Sequence, residues 1–288
     1  MKTRQSVLVI LVVLLAQGWA MAKDKNHFVF TSFDPPGSVL TFPIGINNNG
    51  LIAGQYNDAA GVIHTFTLKG GNYTVIDVPG AAGTLASAPN NRGQVALGYF
   101  NAPDYYTHAA VYSRGRYIYL PDCPGQLNTS PSAINDRGYI SGVVWSDNFT
   151  IVHSYVWDGK TCDVYDEPAS DIHFTNAFAI NNRGQIVGQY NTSDGVIHGY
   201  LKYRDNYTEI TFPGAPNTVA LGINNADVIV GLYGNAGPGP YGFAVGSHGY
   251  VMWGGVYSTL DYPGAVSSFS TGINDVGQIV GVYHLNYA

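Results

Sequence analysis

The chain carries little charge. Only 11% of its 288 residues are charged, and glutamate occurs twice, at Glu167 and Glu209. A nucleic-acid or anionic-membrane partner needs a basic patch, and 13 basic against 19 acidic residues provide none. Cysteine is equally scarce. Cys123 and Cys162 alone are too few for a structural thiolate metal site, and the sequence leaves open whether they pair. Three catalytic signatures are missing: the Gly-x-Ser-x-Gly elbow, His-Glu-x-x-His and the P-loop. No stretch has the 3.6-residue apolar period of a helix.

Long apolar runs are also rare, and the one present is at the start. Residues 6–20 are uncharged and follow the basic Met1-Lys2-Thr3-Arg4. Ala20-Met21-Ala22 then offers a small-x-small cleavage site, so residues 1–22 read as a secretory signal peptide lying outside the fold. Their removal takes Lys2 and Arg4 and leaves 11 basic against 19 acidic residues, a net charge of −8. Residues 23–288 then form a single domain with no membrane span, secreted to the periplasm or the exterior, where a disulfide is permitted.

Abundance lies in Gly, Tyr, Asn and Thr, arranged as a repeat. The segment AINNRGQIVGQY at 179–190 has near-copies at 45–56 and 272–283. Its asparagine recurs at Asn47, Asn90, Asn135, Asn181, Asn224 and Asn274, spaced by 43, 45, 46, 43 and 50 residues. Proline keeps step at Pro36, Pro79, Pro124, Pro168, Pro213 and Pro263, and histidine at His64, His108, His153, His198 and His248. Each unit splits into four short pieces rich in β-branched and aromatic residues and bounded by turn formers. The Asn-Asn-x-Gly core is a hairpin turn, because asparagine bonds its own backbone two residues on and glycine accepts positive φ.

Four-strand units of about 40–50 residues are the signature of propeller blades. The expectation is therefore an all-β, six-bladed β-propeller of four-stranded blades. The segment at 30–38 matches 257–265, so the N-terminal strand completes the last blade and closes the ring. The C-terminal His-Leu-Asn-Tyr-Ala would be a stunted third strand there. A β-solenoid is the rival architecture, although it has no use for such a strand.

The repeat resembles the HAF family of bacterial extracellular repeats, named for a His-Ala-Phe mark after an Ile-Asn-x-x-Gly-x-Ile-x-Gly segment. The mark reads His64-Thr65-Phe66, His108-Ala109-Ala110, His153-Ser154-Tyr155, His198-Gly199-Tyr200 and His248-Gly249-Tyr250. The resemblance implies secretion and a repeat architecture, and carries no catalytic residues. Two copies depart from the pattern: Gly98 is displaced by one residue, and Asp227 replaces the turn glycine. Local irregularity is expected in both units.

Five histidines in phase raise the question of a metal, which needs three or four ligands at one point. Spread around an axis they do not converge, so a bond from each to a neighbouring backbone group is expected, with no metal and no cofactor. Function is looked for in the divergent loops between second and third strands, at 57–63, 101–107, 146–152, 191–197 and 234–247. Asp58, Asp104, Asp147 and Asp194, with Tyr105, Tyr106, Phe149 and Tyr241, would place carboxylates and aromatics on one face, as sugar binding requires. Turn formation accounts for the same aspartates. Glu167, Asp171 and His173 have no counterparts in other units and are the catalytic candidates if the chain is an enzyme. Three readings stand: a secreted, monomeric binding or scaffold module for carbohydrate or an extracellular protein, a polysaccharide-active hydrolase or lyase, and a purely structural extracellular protein.

Overall fold

The computed structural model describes residues 7–14, 28–101, 106–146, 151–236 and 243–285. Every element among them is a strand. Five blades are each built from four consecutive antiparallel strands. The first holds β3 (Leu40–Ile46), β4 (Ile52–Asn57), β5 (Ile63–Lys69) and β6 (Asn72–Val75). The second holds β7 (Gly83–Ala86), β8 (Val95–Phe100), β9 (Thr107–Ser113) and β10 (Arg116–Tyr119). In the third are β11 (Thr129–Ile134), β12 (Ile140–Trp145), β13 (Val152–Trp157) and β14 (Cys162–Tyr165). The fourth has β15 (Thr175–Ile180), β16 (Ile186–Asn191), β17 (Ile197–Tyr203) and β18 (Asn206–Ile210). The fifth has β19 (Asn217–Ile223), β20 (Ile229–Ala236), β21 (Phe243–Trp253) and β22 (Val256–Thr259).

Blades of consecutive strands thus number five rather than the expected six. A further four-stranded sheet is assembled from both termini, in the order β2 (Phe28–Phe33), β1 (Val7–Leu14), β24 (Gln278–His284), β23 (Ser267–Ile273). Its outer strand is the N-terminal one foreseen from the sequence. The C-terminal segment expected as its third strand starts at His284, which ends β24, and residues 286–288 lie outside the described residues. Val7–Leu14 takes that place, antiparallel to both neighbours, inside the stretch the sequence reading had left out of the fold.

Local chemistry explains the repeat. In the turn joining the two inner strands of the first blade, Asn47 Oδ1 accepts the N–H groups of Asn49 and Leu51 at 3.0 and 2.9 Å. Gly50 closes the turn with a φ of 72°. Asp227 adopts a φ of 61° at the equivalent position, and Asn224 still accepts the N–H groups of Ala226 and Val228 at 3.0 Å. The irregularity expected there is absent, because aspartate is one of the few residues that tolerate the left-handed region.

The second departure is absorbed by a swap of sizes. Gly54, Gly142, Gly188 and Gly231 on the second strand lie opposite Phe66, Tyr155, Tyr200 and Tyr250 on the third. A Cβ on Gly188 would meet the Asn176 carbonyl oxygen and stand 2.7 Å from Tyr200 Cε1, so the glycine admits both the close approach of the inner strand and the aromatic ring. In the second blade the pair is Leu97 opposite Ala110, both fully buried. Large and small have exchanged strands, and the volume between blades stays filled.

Blades join through repeated devices. At the corner leading from one blade to the next, a Thr or Ser hydroxyl of the incoming strand caps a backbone N–H: Thr84 for Val78, Thr175 for Glu167, Thr218 for Phe212 and Ser268 for Tyr262, at 2.9–3.0 Å. Cys123, at the corner after β10, is disulfide-bonded to Cys162 in the third blade, with Cα atoms 5.4 Å apart. The pairing left open by the sequence is thereby settled.

Around the axis, the six repeated asparagines form a closed hydrogen-bonded circle. Asn47 Nδ2 donates to Asn90 O at 2.7 Å, Asn90 to Asn135 O and Asn135 to Asn181 O at 3.0 Å. Asn181 donates to Asn224 O and Asn224 to Asn274 O at 3.1 Å, and Asn274 returns to Asn47 O at 2.9 Å. A second circle runs through the following residues, Asn48, Asn91, Asp136, Asn182, Asn225 and Asp275, where each side-chain oxygen accepts the N–H of the residue before it. Asp136 and Asp275 each take two flanking asparagine amides on Oδ2. Burial pushes the Asp275 carboxyl up, but the hydrogen bonds from Asn48 and Asn225 hold it below the usual range.

Candidate functional site: the loop face and the central cavity

Antiparallel blades place the asparagine turns at one end of the propeller. The loops between second and third strands share the other end with the corners between blades. Beneath the loop face, each blade carries the same side-chain frame. The histidine opening the third strand gives Nδ1 to a carboxylate at the end of the fourth: His64 to Asp77 at 2.7 Å, His108 to Asp122 at 2.9 Å and His153 to Asp166 at 2.8 Å. His248 pairs with Asp261 at 2.7 Å, and His198 with Glu209 at 3.1 Å, because Thr211 stands where the others have aspartate. A tyrosine of the second strand stacks on the imidazole in several blades, with centroids 5.0 Å apart for Tyr56 and His64 and 4.8 Å for Tyr190 and His198.

The backbone partners expected for these histidines are therefore replaced by carboxylates. The signal was in the sequence, since an acid follows four of the histidines by 13 or 14 residues. The Asp77 hydrogen bond is the main cause that raises His64 above its ordinary value, against some desolvation. Among the described residues no three His, Cys, Asp or Glu side chains gather as a metal-binding group.

Two of the loop aspartates act in their own turns. Asp58 Oδ1 accepts the N–H groups of Ala60 and Val62 at 2.8 and 2.9 Å, while Oδ2 lies 3.5 Å from His64 Nε2. Asp194 Oδ1 accepts the Thr192 hydroxyl at 2.6 Å and the Val196 N–H at 3.1 Å. Those bonds keep both carboxyls below the usual range, so both are anionic at neutral pH. Tyr106 is half-buried at the start of β9. Asp104, Tyr105, Asp147, Phe149 and Tyr241 lie outside the described residues.

The three catalytic candidates share one corner but do not converge. Glu167 is buried, and its Oε2 accepts the Ala169 N–H at 2.6 Å; burial raises its carboxyl above the ordinary value. Asp171 reaches into the next blade, accepting the N–H and hydroxyl of Ser193 at 2.8 and 2.6 Å. His173, at a φ of 51°, bonds Asp166 Oδ2 at 3.0 Å on the carboxylate that also holds His153. Glu167 and His173 are engaged within the connecting corner itself, and Asp171 fastens that corner to the fourth blade.

The axis encloses a cavity of about 1660 Å³. The asparagine circles floor it, and Phe42, Ile44, Phe178, Leu221 and Phe269 wall it. Gln55, Asn57, Trp145, Asn176, Gln189 and Asn191 supply polar groups toward the loop end. Sequence reasoning missed these residues, because its attention was on loops rather than on inner strands. Its titratable lining is confined to Asp136 and Asp275 in the floor and to His284, which burial drives toward the neutral form.

No family model matches the chain, and no curated protein is similar to it. Its fold is shared by solved propellers. A TolB-like protein from Agrobacterium tumefaciens is 12% identical with a TM-score of 0.68, over 98% of this chain and 100% of that one. The lectin of Aleuria aurantia, described as a six-bladed β-propeller with a novel fucose recognition mode, is 14% identical with a TM-score of 0.50, over 87% and 90%. A gluconolactonase from Xanthomonas campestris is 10% identical with a TM-score of 0.55, over 99% of each chain. These likenesses establish an all-β propeller of four-stranded antiparallel blades.

Proposed function

We propose that the chain is an exported binding protein of the HAF type that takes saccharide on its loop face, with the composite sheet serving as a sixth blade. One observation carries the reading: the repeats diverge at one end only. The turns at the opposite end close two complete hydrogen-bonded circles, leaving that end internally satisfied. At the loop end, a histidine–carboxylate frame repeated in the five blades, with a tyrosine opposite the imidazole in four of them, supports loops that differ in length and composition from blade to blade. A rigid frame under variable loops is the arrangement that binding sites use. The ionised carboxylates of half-buried Asp58 and exposed Asp194 and the ring of Tyr106 supply hydrogen-bond acceptors and a stacking surface suited to sugar hydroxyls and C–H faces.

Fucose recognition in the Aleuria aurantia lectin supports this use of the scaffold. Export is supported by the Cys123–Cys162 bond, which suits an oxidising compartment. No helix among the described residues is long and apolar enough to cross a membrane. The separate engagements of Glu167, Asp171 and His173 leave the hydrolase or lyase reading without an observation in its favour.

A glycan array probed with the purified protein, with and without calcium, tests the proposal. Saturable binding to a saccharide, weakened by Tyr106→Ala and Asp58→Asn, is the expected result. A blank array from correctly folded protein would overturn it and leave a structural role or a protein partner.

A further inference from the structure

The inner strands of the fourth blade carry two amide side chains facing each other at one register. Asn176 on β15 and Gln189 on β16 face each other as a cross-strand pair and both line the central cavity. They are 7% and 1% exposed, and neither Asn176 Oδ1 nor Gln189 Oε1 has a hydrogen-bond partner. The Gln189 amide nitrogen is directed to Asn191 Oδ1 at 3.3 Å, which fixes the carbonyl as the group left over. At the same register the fifth blade carries Val219 opposite Leu232, and the composite sheet carries Phe269 opposite Val282. These four apolar side chains pack in one cluster with Phe178 and Ile197, against which Phe42 also lies. Two buried acceptors thus adjoin this apolar wall, at a register where the first blade pairs Phe42 with Gln55 and the third pairs Ser130 with Val143.

A buried polar atom without a partner costs stability, and native proteins keep few of them. We propose that Asn176 and Gln189 form a second ligand site, inside the central cavity and independent of the loop face, for a neutral polyhydroxylated small molecule of one or two sugar rings. Two unmatched carbonyl oxygens require O–H or N–H donors. Among the described residues, the charged lining of the cavity is confined to Asp136 and Asp275 in the floor, where asparagine amides already occupy the carboxylates. Burial drives His284 toward the neutral form, so the level of Asn176 and Gln189 suits a neutral ligand. Phe178, Phe269 and Phe42 offer apolar surface for the C–H face of a pyranose or cyclitol. Its volume of about 1660 Å³ leaves ample room, because small-molecule sites need only about 300–1,000 Å³.

The test pairs binding with stability. Saturation-transfer NMR and calorimetric titration would use methyl glycosides of glucose, galactose, mannose, fucose and xylose, together with maltose and myo-inositol. Glucuronate and glucosamine serve as charged counterparts. The neutral set is expected to contain a binder and the charged pair none. In the double variant Asn176→Val with Gln189→Leu, which copies the fifth blade, that binder's Kd should rise by about 10-fold or more, from two lost hydrogen bonds. Unliganded thermal stability should hold or increase. Absence of any neutral binder overturns the proposal. Saccharide binding that survives the double variant belongs to the loop face, and also overturns it. A double variant that loses stability without ligand would assign the pair a structural role instead.

Discussion

Replacing Asn135 by alanine should test whether the asparagine circle holds the blades together. This side chain is 3% exposed and makes three hydrogen bonds, one donated to Asn181 O in the next blade and two accepted from the N–H groups of Arg137 and Tyr139, all at 3.0 Å. At roughly 0.5–1.5 kcal/mol for each bond, Asn135→Ala is expected to cost about 3 kcal/mol. For a chain of this size that is a drop in Tm of about 6–12 °C. Asn49 provides the control, since it donates to Asn91 O at 3.0 Å from an exposed position. Asn49→Ala should therefore change stability by less than about 0.5 kcal/mol. Asn135→Asp sharpens the test, because it keeps the acceptor oxygen of the turn and presents its second oxygen to a carbonyl. Burial beside that carbonyl raises the folded-state pKa of the new carboxyl, so the folded chain holds the proton longer than the unfolded one. Stability of this variant should be highest below the unfolded value of about 3.9 and fall as pH rises through the folded value. Urea denaturation across pH gives the readout. If Asn135→Ala stays within about 0.5 kcal/mol of the parent, the circle contributes little and the reasoning is wrong.

Other substitutions address the packing, the frame and the disulfide. Leu97→Gly should destabilise the second blade by about 3–5 kcal/mol, and adding Ala110→Tyr should recover most of the loss; a double variant as unstable as the single one would refute the size exchange. His64 has a raised folded-state pKa, so its contribution is fully present below the unfolded value of about 6.5 and is lost as pH rises through the folded value. The imidazole titration of His64 by NMR should move down in Asp77→Asn, and an unmoved midpoint would mean that Asp77 is not the cause. Reducing the Cys123–Cys162 bond, which spans 39 residues, should cost about 4 kcal/mol on chain-entropy grounds. A melting temperature insensitive to reductant would show that the second and third blades need no tether.

The architecture was legible because the turn chemistry is repeated. Asn47 and its five counterparts mark the hairpin, and a proline marks each corner, so phase alone marked the repeats, although five rather than six of them form blades of consecutive strands. Spacing gives phase but not direction, which is why the donation of each asparagine to the next blade could not be read. The two irregular copies misled for a physical reason. Gly98 looked displaced when read alone, whereas Leu97 and Ala110 together preserve the volume. Residues 7–14 are apolar without alternation, and composition therefore spoke for a leader rather than for the strand observed. At the loop face, Asp58 and Asp194 are the turn formers that the bland reading gave them, with carboxylates left at the surface. Asn176 had a signal in the sequence, where Thr-Asn-Ala-Phe-Ala-Ile stands for the next unit's Thr-Val-Ala-Leu-Gly-Ile, whereas Gln189 repeats the Gln55 of the first unit and did not stand out.

The bond from Asn274 to Asn47 spans 227 residues, whereas the other members of the circle bridge 43–50. Loop-closure entropy grows slowly with length, and a fivefold longer loop costs only about 1.4 kcal/mol more to close. Timing is affected far more than stability. On the ribosome, the blades emerge as an open arc, and the N-terminal strand of the composite sheet must wait for β23 and β24 at the other end of the chain. Synthesis therefore passes through a long interval in which hydrogen-bonding edges are bare at both ends of the arc. Association between chains competes with closure in that interval. The same contact that completes the propeller thus makes its assembly a late event, set by the arrival of β23 and β24 rather than by the folding of any single blade.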